Sequence, residues 1–433
     1  MRRHFRADGT ALAAMIRKPL LRLIWAGMLV FRCSHAWSGD WPAFRGPDGD
    51  GVAKNDKAPI AWGPDKNIRW KTALPGPGNS SPIVSTGHVF ITCAEDKGRK
   101  RNLFCFDRTT GRQLWVRTTE FPEVEPTHHS NPYCASTPVA DGKRVVVWHG
   151  SAGIYCYDLE GKELWRKDFG PVHHEWGYAS SPILYRGKVI LSFGPGSQTF
   201  LCALDLNTGT VLWQHKEPGG LDTTEKRMVG SWSTPIVHRD AAQILCTMPT
   251  RLVAIHPDNG RLLWSCAGLG AEKVDLVYAS PVVCGDMVVA FTGWVQGPTI
   301  GCKLGGSGDV TVTHRVWLEK QPQRIGSGIV DGRNVYIVNA GPGTAQCIDC
   351  ETGKIRWTER LEGGESWGSI VAASGRMYIT SRRGITTVFR ANSEKLEVLA
   401  MNDLQESSNA TAAISDGEIF LRTDKHLYCV TEL

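Results

Sequence analysis

The chain has 433 residues, a formal net charge of +6 and 16 tryptophans. The excess positive charge lies in residues 1–36, which hold seven Lys and Arg against one acidic residue and leave 42 of each sign in the remainder. A neutral remainder lacks the basic surface that binding to nucleic acid requires, so no nucleic-acid partner is expected.

The first 36 residues are typical of a secretory signal peptide. From Met15, a basic stretch (IRKPLLR) precedes an apolar run over residues 23–31. Ser34 and Ala36 then supply the small residues that a cleavage site requires. Met15 is an alternative start of the chain, since it gives a signal of ordinary length.

A membrane anchor and a lipidated cysteine are the alternatives for this segment. The apolar run is too short to span a bilayer, and Arg32 before Cys33 does not fit a lipoprotein box. We therefore expect a soluble protein that is periplasmic or otherwise exported, without a membrane span once the signal is removed, and we expect it to be a monomer. Its expected partner is a protein or a small molecule of the cell envelope.

Residues 37–61 predict an extended leading segment, which contains WPAFRGPDGDGV (41–52). Its DGDG (48–51) resembles the start of a calcium-binding loop, but no carboxylate follows at the spacing that such a loop needs. We interpret it as a turn. From residue 62 to 433 the pattern changes to a repeat.

A short motif recurs five times between residues 107 and 357. Its copies read DRTTGRQLW (107–115), DLEGKELW (158–165), DLNTGTVLW (205–213), HPDNGRLLW (256–264) and DCETGKIRW (349–357). An Asp or Asn side chain caps the backbone two residues on, and Gly readily adopts a positive φ, so each copy predicts a hairpin turn. The basic residue that often follows the Gly suits an edge strand, where charge opposes pairing with another chain.

The sequence around each motif also repeats. A Ser-Ser-Pro or Ser-Thr-Pro stretch and a β-branched run precede most copies, so one unit contains four short strands. The tryptophans recur at spacings of 40 to 53 residues, which is the length of a propeller blade; they are Trp70, Trp115, Trp165, Trp213, Trp264, Trp317 and Trp357. No long helical periodicity follows residue 40, which excludes a solenoid of helices.

The two ends of the repeat predict how the ring closes. An outer-type strand over residues 67–72 has no blade before it, and three strands over residues 412–430 have no fourth. Pairing these ends completes one blade, and a unit over residues 367–399 that lacks the motif supplies another. The sequence therefore predicts an all-β, eight-bladed β-propeller of four-stranded antiparallel blades over residues 62–433, closed by an N-terminal strand.

The repeats resemble the pyrroloquinoline-quinone-like (PQQ-like) propeller family, whose repeat signature is LYALDxxTGxxxW. The resemblance covers roughly residues 62–433, and the leading segment is similar to that of exported bacterial proteins with this propeller. It implies an eight-bladed ring in which the seven tryptophans dock neighbouring blades together. The same ring serves quinone-dependent dehydrogenases and non-enzymatic proteins, so the family alone does not give the function.

Most of the cysteines are expected to be structural. Four of them occupy one repeat position, which sister blades fill with Ala; they are Cys105, Cys156, Cys347 and Cys429. A position that accepts Ala or Cys is small and buried, and a free Cys there acts as a small hydrophobic residue. The single Cys-x-x-Cys of CIDC (347–350) is weak evidence for a metal site, and whether any cysteines pair stays open.

The loops that precede the first strand of each blade gather at one face of a propeller, around its channel. Here they carry imidazole, indole and phenol groups, which would converge on a concave floor as a ligand pocket requires. The candidate ligand-binding residues are His128, His129, His173, His174, Glu175, Trp176, Tyr178, Trp232, Tyr278 and Trp367. No catalytic residue is predicted.

Two His-His pairs occupy matching places in adjacent blades, at His128–His129 and His173–His174. Neighbouring residues of an extended strand point to opposite sides, so neither pair alone should chelate a metal. One His from each pair, with Glu175, could converge on zinc or copper. We favour the alternative, in which the histidines hydrogen-bond loop backbone and stack on Trp176 and Tyr178.

Three functions from different classes follow from these features. We expect a non-enzymatic, exported binding or scaffold protein without a cofactor, which resembles in that sense the propeller lipoprotein of the outer-membrane barrel-assembly machinery. The first alternative is a quinoprotein dehydrogenase that binds pyrroloquinoline quinone (PQQ) and calcium, although the adjacent cysteines usual in that class are absent and no base or calcium ligand can be assigned. The second alternative is a metal site or hydrolase on the paired His loops, for which no nucleophile motif is visible.

Overall fold

A computed structural model describes residues 39–54, 57–196, 198–217, 228–272, 274–293, 297–320 and 324–432. The chain divides into two units, Met1–Ala36 and Trp37–Leu433, and the described residues belong to the second. The predicted signal peptide lies outside the described residues. The described part is almost entirely β-structure, in which eight sheets each contain four antiparallel strands. The predicted eight-bladed β-propeller is therefore confirmed.

The first four blades each take four consecutive strands. Blade 1 contains Ile83–Ser85, His88–Glu95, Lys100–Asp107 and Gln113–Glu120; blade 2 contains Val139–Ala140, Arg144–Trp148, Ile154–Asp158 and Glu163–Lys167; blade 3 contains Ile183–Tyr185, Lys188–Phe193, Phe200–Asp205 and Val211–Lys216; blade 4 contains Ile236–His238, Gln243–Thr247, Arg251–Ile255 and Leu262–Ala267. Each strand pairs with the next along the chain, so the first and last strands are the inner and outer edges of a blade.

Blades 5 to 7 repeat this order, and blade 8 draws on both ends of the chain. Blade 5 contains Val282–Cys284, Met287–Phe291, Pro298–Lys303 and Arg315–Lys320; blade 6 contains Ile329–Asp331, Asn334–Val338, Thr344–Asp349 and Ile355–Arg360; blade 7 contains Val371–Ala373, Arg376–Thr380, Ile385–Arg390 and Glu397–Asp403; blade 8 contains Ala413–Ser415, Glu418–Arg422, His426–Val430 and Ile68–Ala73.

Short elements outside the blades add to some of their edges. Val52–Ala53 pairs in parallel with the first strand of blade 7, Gly308–Asp309 pairs with the outer strand of blade 4, and Met228–Ser231 pairs with Val274–Val277. The helical elements of the described residues are single turns; they are Asp96–Gly98, Gly150–Ala152 and Thr311–His314.

The N-terminal strand Ile68–Ala73 closes the ring. It pairs antiparallel with the C-terminal strand His426–Val430, and Trp70 lies opposite Cys429. This pairing completes the outer edge of blade 8 with a segment that is more than 340 residues away along the chain. The closure predicted from the two incomplete ends of the repeat is confirmed.

An inner ring of hydrogen bonds joins neighbouring blades around the channel. Seven Ser or Thr side chains just before first strands each accept a hydrogen bond from the backbone N–H of the counterpart residue in the preceding blade, at 2.8–3.1 Å. The hydroxyls that accept are those of Ser81, Thr137, Ser181, Thr234, Ser327, Ser369 and Thr411. The repeated Ser-Ser-Pro and Ser-Thr-Pro stretches therefore mark the positions of hydrogen bonds between neighbouring blades.

An outer set of contacts joins the blades near the rim. Six indole N–H groups donate to a backbone carbonyl of the following blade, at 2.8–3.0 Å; they belong to Trp70, Trp115, Trp165, Trp213, Trp317 and Trp357. Trp264 differs, because its indole donates to Gln243 Oε1 within its own blade at 3.2 Å. Blade 5 carries an inserted strand and helical turn where blades 1–4 and 6 have the motif, and Gly308 of this insertion pairs with Trp264.

The leading segment crosses the face of the ring opposite the loops that precede the first strands. Trp41 pairs with Val84 of blade 1, Asp48 forms an ion pair with Arg239 after the first strand of blade 4 at 3.2 Å, and Val52 pairs with Ala372 of blade 7. Trp41 and Arg45 are each 1% exposed, so the segment is packed into the ring rather than laid over it. This end of the central channel is therefore filled by the chain itself.

The cysteines of the described residues are buried, and two of them form a disulfide. Cys105, Cys156, Cys347 and Cys429 are free and 0% exposed, as the shared repeat position predicts. Cys350 is bonded to Cys284, 66 residues earlier, which links blade 6 to blade 5. The sequence does not predict this pair, because its partners belong to different repeats and share no motif.

Candidate functional site

The loops that precede the first strands surround a cavity of about 170 Å³ at the open end of the channel. Phe44 of the leading segment lies at the closed end of this cavity, and the hydroxyls of the inner ring form a belt above it. The cavity is lined by Phe44, Asn79, His128, Asn131, Ala135, Trp176, Ala179, Ser181, Trp232, Thr234, Tyr278, Ile325, Ser327, Trp367, Ser369, Asn409 and Thr411. We call the face on which it opens the mouth face.

His128 and Trp176 form one wall of the cavity. Their rings stack at a centroid distance of 4.8 Å and an angle of 16°. His128 Nδ1 accepts the backbone N–H of Ser130 at 3.3 Å. Burial, then the neighbouring His129 and Arg382, lower the pKa of His128, so its ring is neutral at pH 7.

The second His pair lies outside the cavity lining. His174 is 4% exposed, meets the indole of Trp232 edge-on at 4.9 Å, and accepts the backbone N–H of Trp176. His173 is exposed toward solvent, with Nε2 3.9 Å from Glu125 Oε1. Glu175 accepts the indole N–H of Trp176 at 2.9 Å. His174 and Glu175 thus bond to Trp176, and His173, His174 and Glu175 are not among the residues that line the cavity.

The lining beside Trp176 is also aromatic. Trp232 and Tyr278 pack against each other at 5.1 Å, and the indole of Trp232 donates to the carbonyl of Gly177 at 2.8 Å. Trp367 lines the same cavity and carries the guanidinium of Arg382 on its ring, at 4.5 Å. Tyr178 is buried behind the wall, where its hydroxyl donates to the carbonyl of Tyr133 at 2.7 Å.

Of the ten candidate residues, five line the cavity: His128, Trp176, Trp232, Tyr278 and Trp367. His129 lies on a neighbouring cleft of about 440 Å³ that also contains Glu365, Arg382, Arg383 and Asp424. We call this the charged cleft. It shares Asn79 and Asn409 with the cavity, so the two open side by side on the mouth face.

Three asparagines of the cavity were not singled out from the sequence. Asn131 donates its side-chain N–H groups to the carbonyls of Trp176 and Tyr178, at 2.8 and 3.0 Å, and so fixes the loop of the next blade. Asn79 and Asn131 precede the Ser-Pro and Ser-Thr-Pro stretches of blades 1 and 2, and Asn409 stands two residues before Thr411. Proximity to that stretch is the signal that could have identified them.

The cavity contains polar atoms without protein partners. Among the described residues, Asn131 Oδ1, Asn409 Oδ1 and the hydroxyl of Tyr278 are buried and accept or donate no hydrogen bond. Burial raises the pKa of Tyr278, so its phenol remains protonated. Leaving such groups unpaired is costly, which makes them candidates for contacts to a ligand.

The cavity lining offers few groups that could bind a metal ion or a quinone cofactor. Within the part of the chain that the structure describes, no group of three or more His, Cys, Asp or Glu is placed to hold a metal ion. The cavity lining there contains no Asp or Glu, whereas calcium sites are built largely from carboxylates. The residues present therefore do not fit the calcium ion that accompanies pyrroloquinoline quinone under the first alternative.

Comparison with known proteins identifies the family. The family model described as "Outer membrane protein assembly factor BamB" matches residues 51–133 and 99–359. Because these matches cover more than half of the chain, the chain belongs to this family, and the predicted PQQ-like propeller is confirmed. Outer membrane protein assembly factor BamB of Yersinia pestis is 25% identical over 241 residues, which is 54% of this chain and 54% of that protein. The chain thus spans about half the length of the curated relative it matches.

Solved structures share the fold across the whole ring. BamB from Moraxella catarrhalis has a TM-score of 0.56 at 12% identity, covering 84% of this chain and 97% of its own. A quinohemoprotein alcohol dehydrogenase from Comamonas testosteroni has a TM-score of 0.66 at 12% identity, covering 93% and 82%. A europium-containing methanol dehydrogenase has a TM-score of 0.66 at 12% identity, covering 88% and 89%. At these identities the similarity shows the fold alone.

Proposed function

We propose that this protein is an exported, non-enzymatic binding protein of the cell envelope, in which the propeller is a scaffold and the mouth face is the binding surface. The observation that carries the proposal is the pair of adjoining depressions on that face, one uncharged and aromatic and the other charged. The inner and outer interblade contacts hold the loops around both in place, and a preformed surface binds with a smaller loss of conformational entropy.

The charged cleft supports a protein partner. Arg382 pairs with Glu365 at 3.0 Å, while Arg383 and Asp424 also line the cleft. Charges of both signs in one cleft match the polar rim of a transient protein interface and contribute more to specificity than to affinity. The Yersinia pestis relative is named as an outer membrane protein assembly factor, and we propose an assembly partner of the same kind for this chain.

The absence of enzymatic activity is also part of the proposal. A quinone-dependent oxidation needs a metal that polarises a quinone carbonyl and a base that takes the substrate proton. The carboxylate-free lining of the described residues supports a binding role over that chemistry. In the described part of the chain, no helix has the length and apolar character needed to cross a membrane; we propose that the exported protein works in the periplasm.

Site-specific crosslinking in cells tests the proposed binding surface. A photoreactive amino acid replaces exposed His129 on the mouth face or, as the matched control, exposed Lys162 in the outer turn of blade 2. We expect the His129 position to yield a discrete crosslinked envelope protein, and the Lys162 position to yield none. Crosslinks from Lys162 alone would contradict the assignment of the mouth face.

A separate activity assay tests the proposal that the protein is not an enzyme. The purified protein is mixed with pyrroloquinoline quinone, calcium and a panel of alcohols and sugars, and the reduction of an artificial electron-accepting dye is followed. We expect no turnover above a protein-free control. Saturable, dye-linked turnover would replace the proposed function by the dehydrogenase alternative.

A further inference from the structure

The central cavity has an uncharged lining with unused hydrogen-bonding groups. Among the described residues, Asn131 Oδ1 and Asn409 Oδ1 are acceptors without donors, and the hydroxyl of Tyr278 is unpaired in both roles. The side-chain amide N–H groups of Asn131 are both held by neighbouring backbone carbonyls, so its oxygen is fixed in orientation. A ligand that presents hydroxyl or amide N–H donors would pair these oxygens.

The belt at the base of the cavity adds hydroxyl groups. Ser181, Thr234, Ser327, Ser369 and Thr411 line the cavity, and the oxygen of each accepts a backbone N–H of the preceding blade. A hydroxyl that accepts in this way keeps its own proton for donation. The cavity thus offers both donors and acceptors, which suits a ligand that carries several hydroxyl groups.

The walls supply flat apolar surfaces. Trp176, Trp232 and Trp367 line the cavity between the polar groups. The face of an indole ring is electron-rich and attracts the weakly positive C–H groups of a saturated ring. The volume of about 170 Å³ lies below the roughly 300–1,000 Å³ of clefts that enclose drug-sized ligands. The cavity therefore suits one small ring more than a long chain.

Charged ligands fit this lining poorly. A cation in an aromatic cage is usually stabilised further by a carboxylate, whereas the described lining has none and the nearby guanidinium of Arg382, on the ring of Trp367, would repel a second cation. An anion would face the two unpaired amide oxygens of Asn131 and Asn409 without a cationic side chain in the lining. Cationic and anionic ligands would therefore both make unfavourable electrostatic contacts in this cavity.

We propose that the cavity binds a single uncharged sugar ring, whose C–H faces pack on the indoles of Trp176, Trp232 and Trp367 while its hydroxyls bond to Asn131, Asn409, Tyr278 and the hydroxyl belt. This inference rests on the proposed binding function and names the ligand class of its central cavity. The sugar is either a free monosaccharide or the end unit of a longer saccharide that leaves through the mouth.

Titration of the purified full-length protein tests this assignment. Methyl β-glucoside, galactose, mannose and N-acetylglucosamine are added one at a time, and binding is followed by calorimetry and tryptophan fluorescence. Tetramethylammonium chloride and inorganic phosphate serve as the charged comparisons. We expect saturable binding of a neutral sugar and none of either ion. A tetrasaccharide that binds at least as well as its monosaccharide unit supports the end of a longer saccharide as the ligand. Binding of the monosaccharide without binding of the tetrasaccharide supports the free sugar.

Two variants locate the binding site. Tyr278→Phe removes only the unpaired hydroxyl and Asn409→Ala removes one unpaired oxygen. Each should weaken sugar binding about 3- to 10-fold, as expected for the loss of one hydrogen bond. Tyr278→Phe should keep or raise the melting temperature, because a buried hydroxyl without a partner is removed. Tyr185→Phe, at a buried tyrosine of blade 3 outside the lining, is the matched control and should bind sugar normally.

The inference is overturned if no sugar shows saturable binding by about 10 mM, if either ion binds more tightly than every sugar, or if both cavity variants bind like the Tyr185→Phe control. Crosslinking at His129 reports on a protein partner and does not depend on the sugar. A crosslinked partner at His129 together with no detectable sugar binding would therefore contradict the sugar site and still support the proposed function.

Discussion

Gly209 of blade 3 lies against the indole of Trp165 of blade 2: a Cβ built on Gly209 would be 2.5 Å from Trp165 Cε3. Gly209 also has a φ of +70°, which L-residues with a side chain rarely adopt. The same contact recurs at Gly111 with Trp70, Gly161 with Trp115, Gly260 with Trp213 and Gly353 with Trp317. In these five cases the Gly of a motif contacts the outer-strand Trp of the preceding blade, which explains why the two residues repeat together.

Gly209→Ala should lower stability through this joint. The added methyl group would displace the indole of Trp165 and strain the backbone, and we expect a loss of about 2–4 kcal/mol in the free energy of unfolding. Gly187→Ala is the matched control, because Gly187 in the same blade has a φ of +73° with nothing within 4 Å of its Cβ position. It should cost only about 1–2 kcal/mol.

Urea unfolding of the two Gly variants beside the wild type makes this measurement. Equal losses for Gly187→Ala and Gly209→Ala would show that backbone strain alone matters. In that case the contact between Trp165 and Gly209 contributes nothing measurable to the joint.

The blades could be predicted from the sequence because their signals are local. The turn of residues 107–111 depends on hydrogen bonds that Asp107 Oδ1 accepts from Thr109 and Thr110, all within four residues. The tryptophan period reports a contact between adjacent blades that six of the tryptophans make. The closure of the ring could be predicted by counting strands. The first strand has no blade of its own and the last blade lacks a fourth strand, so each can be completed only by pairing with the other.

Only part of the candidate site could be predicted from the sequence. Trp232, Tyr278 and Trp367 were found because large aromatic residues stand out in loops, whereas His173 turns to solvent although it occupies an equivalent loop. Phe44 was missed because the path of the leading segment across the ring is not encoded in the repeat. Asn409 was missed because its importance depends on an unpaired oxygen in the folded state.

Deletion of residues 67–72 should open the ring. The deletion removes the strand that pairs with His426–Val430 together with Trp70, which is 8% exposed. We expect the melting temperature to fall by at least about 10 °C, since a core Trp and a full strand pairing are lost. Replacing exposed Pro64, Asp65 and Lys66 by Gly and Ser is the control and should change little. An unchanged melting temperature after the deletion would contradict closure by this strand.

The disulfide between Cys284 and Cys350 should stabilise the junction of blades 5 and 6. Cross-linking a loop of this length removes conformational freedom from the unfolded chain, so Cys284→Ser should cost about 2–4 kcal/mol. Cys347→Ala is the matched control, because Cys347 is a free thiol at a position where sister blades carry Ala. Mass spectrometry after alkylation, with and without reductant, counts the disulfides, and thermal unfolding gives the stability. A wild-type protein whose melting temperature is insensitive to reductant would argue against the bond.

His149 should make the protein sensitive to acid. Burial, then the positive charge of Arg101, lowers the pKa of His149 to about 3, and the side chain is 1% exposed. In the unfolded chain its pKa is about 6.5, so His149 is neutral in both states above that pH and has no effect on stability there. As the pH falls from about 6.5 toward 3, the unfolded state takes up a proton that the folded state refuses, and stability decreases by up to about 1.4 kcal/mol per pH unit.

His149→Phe removes this titration and keeps an aromatic ring beside Tyr155, which packs at 6.0 Å from the imidazole. The free energy of unfolding, measured in urea at pH 7, 6, 5 and 4, should decline less steeply in the variant than in the wild type. Other acid-sensitive groups act equally on both proteins, so the difference between the two slopes isolates His149. Parallel curves over this range would mean that His149 binds its proton at the same pH in the folded and unfolded states, and the buried, neutral imidazole would have to be abandoned.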